Sequence, residues 1–191
     1  MRTRTYNLAG GLALANALLF CIWHVNPGRL PIWRAIHFGL EVVTWAISVF
    51  LFLALRALLR DRLQYRAANL PILVFLVFQI PLNFVTFLMR VVPSTRPPLN
   101  SIFDVFILPF ALLHVWFGVS LLGVKEELSF LMKVLAADLM AIGLCLAGEF
   151  AVRFNAAALM DLSLVSISLI VISQLILGLI FFRAKEAAEF V

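Results

Sequence analysis

Charged residues are scarce in this chain, and their scarcity decides the class of protein. Of the 191 residues only 13% are Asp, Glu, Lys or Arg, whereas 64% are hydrophobic. Soluble globular domains carry about 25% charged and roughly 45–50% apolar residues. So few charges cannot cover a protein surface, which excludes a soluble monomer, a disordered chain and a free nucleic-acid-binding protein. The composition therefore predicts an integral membrane protein.

Cysteine and the common catalytic motifs are also scarce or missing. The chain has two cysteines, Cys21 and Cys145, which form no C-x-x-C motif and exclude a disulfide scaffold. It contains no H-E-x-x-H motif or Cys/His cluster for zinc, no G-x-S-x-G elbow and no glycine-rich phosphate loop. We therefore expect neither an enzyme nor a metal site.

Long apolar segments occupy most of the sequence. A helix needs about 20 apolar residues to cross a bilayer, and these segments lack the apolar–polar alternation of barrel strands. We predict an all-α, polytopic membrane helix bundle that forms a single transmembrane domain over residues 1–191. Its six spans are predicted at approximately 8–25, 33–59, 70–91, 101–124, 130–152 and 162–182. The linker before the last span is the weakest break, and five spans result if the last two are wrongly divided.

Turn and capping residues predict where some of these helices begin. Residues 93–100 are rich in proline and are predicted to form an extended loop. Ser101 and Asp104 have the spacing of a capping box at the start of the fourth span. Asp161 is expected to cap the last span.

The distribution of the basic residues predicts the orientation of the bundle. The chain carries 15 Lys and Arg against 10 Asp and Glu, a net charge of +5. With the N-terminus inside, one side receives Arg2, Arg4, Arg56, Arg60, Arg62, Arg66, Lys125, Lys133, Arg183 and Lys185. The other side receives Arg29, Arg34, Arg90, Arg96 and Arg153. Cytoplasmic loops collect Lys and Arg, so we predict an N-in, C-in topology and no nucleic-acid partner.

Polar residues in the second, third and fifth spans share helix faces, because they recur at offsets of three, four, seven and eleven. Polar groups inside a membrane usually face the bundle interior or a wet cavity. They either hold helices together by hydrogen bonds or line a permeation path, and both interpretations stay open. The candidate site residues on these stripes are His37, Glu41, Gln79, Asn83, Arg90, Asp138 and Glu149.

The stripes favour a transport, permeation or membrane-sensing component. Glu41 and Asp138 would bind a proton or cation, and Arg90 would set the charge of the outer mouth. A bundle this small encloses little space, so we expect a homo-oligomer or a membrane-protein complex within the lipid bilayer. One alternative is a non-catalytic membrane subunit or scaffold. A second is a b-type haem anchor that uses His24 and His37; otherwise no cofactor is expected. The expected location is the bacterial inner membrane, with an organelle membrane left open.

Overall fold

The computed structural model describes residues 3–24, 31–91, 96–125, 128–152 and 156–189. Over these ranges the chain forms six α-helices and no strand, which confirms the predicted all-α bundle. The helices are α1 (Thr3–His24), α2 (Pro31–Ala57), α3 (Asn69–Val91), α4 (Arg96–Leu121), α5 (Ser129–Val152) and α6 (Ala156–Glu189). A π-helical turn, Leu58–Arg62, continues α2.

Four of the helices contain segments long and apolar enough to cross a membrane. These segments are Arg4–Ile22, Gly39–Arg62, Ser129–Val152 and Ala158–Ala184. Shorter apolar segments of 10–17 residues lie in α3 and α4, at Asn69–Val85 and Val105–Leu121. The length and composition of these helices indicate a membrane protein.

The predicted start of the fourth helix is wrong. Helix α4 begins at Arg96, so Pro97 and Pro98 lie in its first turn and not in an extended loop. Proline is tolerated there because the first backbone N–H groups of a helix have no intrahelical acceptor. Ser101 and Asp104 consequently lie inside α4 and cannot form a capping box at its start.

The predicted cap of the last helix is also wrong. Helix α6 begins at Ala156, so Asp161 lies within the helix, where its side chain is exposed. Residues 156–160 include three alanines, a leucine and a methionine. These residue types favour helix, and they extend α6 toward its N-terminus. The linker between α5 and α6 is correspondingly shorter than predicted.

The helices pack into two compact units. Unit 1 comprises residues 1–66, 124–134 and 170–191, and therefore contains α1, α2 and the C-terminal part of α6. Unit 2 comprises residues 67–123 and 135–169, and contains α3, α4, most of α5 and the first part of α6.

Small residues allow α1 to pack closely within unit 1. Ala9, Ala13 and Ala17 recur every fourth residue, so they share one helix face, and all three are buried. A methyl group built on the neighbouring Gly10 would lie 2.9 Å from the ring of Phe182 on α6. Close approach of this kind is typical of membrane helices, where small residues let backbones meet.

Two glycines bring α4 and α5 into backbone contact within unit 2. A methyl group built on Gly118 would lie 2.6 Å from the carbonyl oxygen of Ala136. One built on Gly143 would lie 2.6 Å from the carbonyl oxygen of Ala111. Because the later residue of α4 meets the earlier residue of α5, the two helices run antiparallel.

An arginine fastens one end of unit 1. The guanidinium of Arg62 donates a hydrogen bond to the carbonyl oxygen of Ala184, and its central carbon lies 5.9 Å from the ring centre of Tyr6. The start of α1 therefore lies beside the ends of α2 and α6. This arrangement agrees with both termini being on one side, while the identity of that side stays a prediction.

Candidate functional site

A buried hydrogen-bonded cluster joins three helices in unit 1. The side-chain amide of Asn16 on α1 donates to the hydroxyl oxygen of Ser48 on α2 at 3.0 Å. The same Nδ2 atom donates to the amide oxygen of Gln174 on α6 at 3.1 Å. All three side chains are buried. The polar face of α2 thus meets polar groups from α1 and α6.

The hydroxyl groups of α2 also bond back to their own helix. The Ser48 hydroxyl donates to the carbonyl oxygen of Thr44 at 2.9 Å, and the Thr44 hydroxyl donates to that of Glu41 at 2.9 Å. Such local bonds are common for serine and threonine in helices. Glu41 itself is half-buried. The hydroxyl hydrogens of this stripe are therefore already in use.

Our sequence prediction missed the two amides that complete this cluster. It selected the stripe on α2 but neither Asn16 nor Gln174. A signal was present, because each amide lies in an otherwise apolar stretch of its helix and polar side chains inside a membrane are unfavourable. Neither residue repeats on its own helix as a polar stripe, so periodicity did not reveal it.

A carboxyl group links α5 and α6 in unit 2. The hydroxyl of Ser166 on α6 donates to a carboxyl oxygen of Glu149 on α5 at 2.6 Å. Ser166 is buried and Glu149 is half-buried. The partner of this predicted site residue is thus a neutral hydroxyl group on the neighbouring helix.

A second carboxyl group lies on the same helix. Asp138 is only 7% exposed and precedes Glu149 by eleven residues. Residues at this offset share a helix face, and a rise of 1.5 Å per residue separates them by about 16 Å along the axis. Helix α5 therefore carries two carboxyl groups on one face, as its stripe predicted.

The other predicted site residues are placed in part. Gln79 and Asn83 on α3 are half-buried in unit 2, and the Gln79 carbonyl oxygen is buried without a hydrogen-bond partner in the part of the chain that the structure describes. The side chains of His24, His37 and Arg90 lie outside the described residues. The haem site and the charged outer mouth consequently stay predictions.

One histidine is a component of an aromatic cluster in unit 2. Nδ1 of His114 lies 2.9 Å from the carbonyl oxygen of Phe110, and because a carbonyl only accepts, Nδ1 carries the hydrogen. The imidazole also meets the rings of Phe75 and Phe110 edge-on, at centroid distances of 4.7 and 4.5 Å. These contacts describe a packed core histidine.

Cysteine and metal chemistry find little support in the described ranges. Cys21 is exposed, Cys145 is half-buried, and both are free thiols. No group of three His, Cys, Asp or Glu side chains among the described residues is placed to hold a metal ion.

Comparison of the chain with protein-family models, with curated proteins and with solved structures found no match. The function therefore has to be argued from the residues themselves.

Proposed function

We propose that this chain is a membrane transport or permeation component that passes protons or monovalent cations by way of carboxyl groups on α5. The observation that carries the proposal is the hydrogen bond of 2.6 Å from Ser166 to Glu149. An ionisable residue within an apolar helix is unfavourable, and such residues usually mark ion or proton pathways.

The chemistry of the partner group suits a site that gains and loses a proton. A serine hydroxyl can donate to the carboxylate form of Glu149 and, after rotating, can accept from the carboxylic acid form. A lysine or arginine partner would instead favour the ionised carboxylate strongly. The Ser166 hydroxyl thus accommodates both protonation states of the same side chain.

Asp138 supplies a second station for the proton. Its carboxyl group lies about 16 Å from that of Glu149 along the axis of α5, whereas a hydrogen bond spans only about 3 Å. Water molecules or other side chains would have to connect the two carboxyl groups. Both stations belong to unit 2.

Proton flux into proteoliposomes tests the proposal. Glu149→Gln keeps the size of the side chain and an acceptor for Ser166 but cannot titrate, and Asp138→Asn makes the matching change. We expect each variant to lower the initial rate of proton entry roughly tenfold or more, because an ionisable group on the path is lost. A pH-sensitive dye inside the vesicles measures the rate, and cation-sensitive dyes test sodium and potassium.

Asp161→Asn is the matched control, because this carboxyl group lies on α6 but is exposed. It should retain the wild-type rate. Wild-type rates in both E149Q and D138N would contradict the proposal. So would a wild-type protein that conducts no faster than empty vesicles for any of the three ions.

A further inference from the structure

The amide of Asn16 has one polar atom that the cluster in unit 1 leaves unsatisfied. Asn16 is 0% exposed, and its Oδ1 atom is buried without a hydrogen-bond partner in the described part of the chain. Both hydrogens of its Nδ2 atom are engaged, by Ser48 and Gln174. The side chain is thus held in place on its donor side and is vacant on its acceptor side.

The neighbouring hydroxyl groups do not supply the missing donor. The Ser48 hydroxyl donates to the backbone of Thr44, and the Thr44 hydroxyl donates to the backbone of Glu41. An unsatisfied buried acceptor costs about 1–3 kcal/mol, and inside a bilayer no bulk water relieves this cost. A cluster that served only to join helices would not require this atom to be free.

The position of the atom places it deep within the apolar segments. Asn16, Ser48 and Gln174 lie well inside Arg4–Ile22, Gly39–Arg62 and Ala158–Ala184, respectively, and away from both ends of each segment. Any species that reaches Oδ1 must therefore be small.

The surroundings favour an uncharged species. The buried polar side chains among the described residues of unit 1 are all neutral: Asn16, Thr44, Ser48, Ser173 and Gln174. A cation beside them would lose its hydration without gaining a counter-charge, which is strongly unfavourable in an apolar interior. A neutral O–H or N–H donor satisfies the acceptor without that penalty.

From these observations we infer that Asn16 Oδ1 is the binding point for a small, uncharged hydrogen-bond donor. The shared chemistry is a single O–H or N–H group, which either a water molecule or a small hydroxyl- or amide-bearing solute provides. The inference rests on unit 1 alone and does not depend on the proton pathway proposed for α5.

Isotope-edited infrared spectroscopy tests this site. The protein is labelled with ¹³C at its asparagine side-chain carbonyls, and the spectrum of Asn16→Leu is subtracted from that of the wild type to isolate the Asn16 band. Subtraction of Asn7→Leu, an exposed asparagine on the same helix, provides the control band. The measurement is made in aqueous buffer alone and then with acetamide, with N,N-dimethylacetamide, which has no N–H donor, and with ammonium chloride.

The inference predicts an Asn16 carbonyl band at the frequency of a hydrogen-bonded amide. A bonded band in buffer alone identifies water as the occupant, and a band that changes with acetamide but not with dimethylacetamide identifies a solute. A free-carbonyl frequency in every condition would overturn the inference. A response to ammonium alone would overturn the uncharged ligand class. If N16L does not fold, an experimental structure decides instead, through density within hydrogen-bond distance of Oδ1 or its absence.

Discussion

Polar atoms inside apolar helices are the residues on which the proposed chemistry depends. Glu149 has a hydroxyl partner on another helix, and Asn16 has partners for its hydrogens but none for its oxygen among the described residues. The first arrangement permits a change of protonation, and the second permits occupation by a ligand. Substitution of either side chain should therefore alter function more than it alters the packing of neighbouring apolar groups.

A single residue after α2 adopts an unfavourable backbone conformation. Gln64 has a φ of 47°, in the left-handed region that glycine occupies without steric cost. We expect Gln64→Gly to raise the free energy of unfolding by about 1 kcal/mol, because the Cβ clash is removed. Chemical unfolding in detergent micelles measures the change.

Arg66→Gly is the control for this prediction. Among the described non-glycine residues only Gln64 has a positive φ, so glycine at position 66 relieves no clash. It should instead lower stability by increasing the entropy of the unfolded chain. A loss of stability in Q64G equal to that in R66G would contradict the interpretation.

At the level of helices, the close contact between α4 and α5 depends on two glycines. Gly118 and Gly143 each face a backbone carbonyl oxygen of the other helix. We expect Gly118→Ala and Gly143→Ala to lower the free energy of unfolding by about 1–3 kcal/mol each, because the backbones must move apart. Unfolding in micelles reports the loss.

Two other helical glycines provide matched controls. A methyl group built on Gly11 or Gly39 meets no atom within 4 Å. Alanine favours helix over glycine by up to about 1 kcal/mol, so Gly11→Ala and Gly39→Ala should leave stability unchanged or raise it. The same loss in all four variants would show that close contact is not the reason.

The helices were predictable from the sequence because length and hydropathy define a membrane helix, whatever its neighbours. The first turn of α4 was not, because proline both begins helices and interrupts them. The partner of Glu149 was not predictable either, since the offset of residues along one helix fixes a shared face but not which helix packs against it. Ser48 was recognised on its stripe, yet the amide of Asn16 that bonds to it comes from another helix.

In the whole molecule, the predicted stripes are divided between the two units. The stripe on α2 belongs to unit 1, and those on α3 and α5 belong to unit 2. Sequence periodicity could not predict this division, because the grouping of helices depends on side-chain fit such as that of Gly10 with Phe182 and Gly118 with Ala136.

The topology of the chain is testable with fused reporters. The start of α1 lies beside the end of α6 in unit 1, and the bias of basic residues places this end in the cytoplasm. We expect a reporter at the C-terminus to be cytoplasmic and one inserted between α1 and α2 to be extracytoplasmic. An extracytoplasmic C-terminal reporter would contradict the predicted orientation.

Charge movement through Glu149 is best measured by electrometry on a solid-supported membrane after a rapid change of pH. Wild type, E149Q and the exposed-carboxyl control D161N are reconstituted at equal protein density and compared in the same buffer. If protons pass by way of Glu149, wild type and D161N give a transient current that E149Q lacks. Equal currents from all three proteins would show that the Glu149 carboxyl group does not carry the proton.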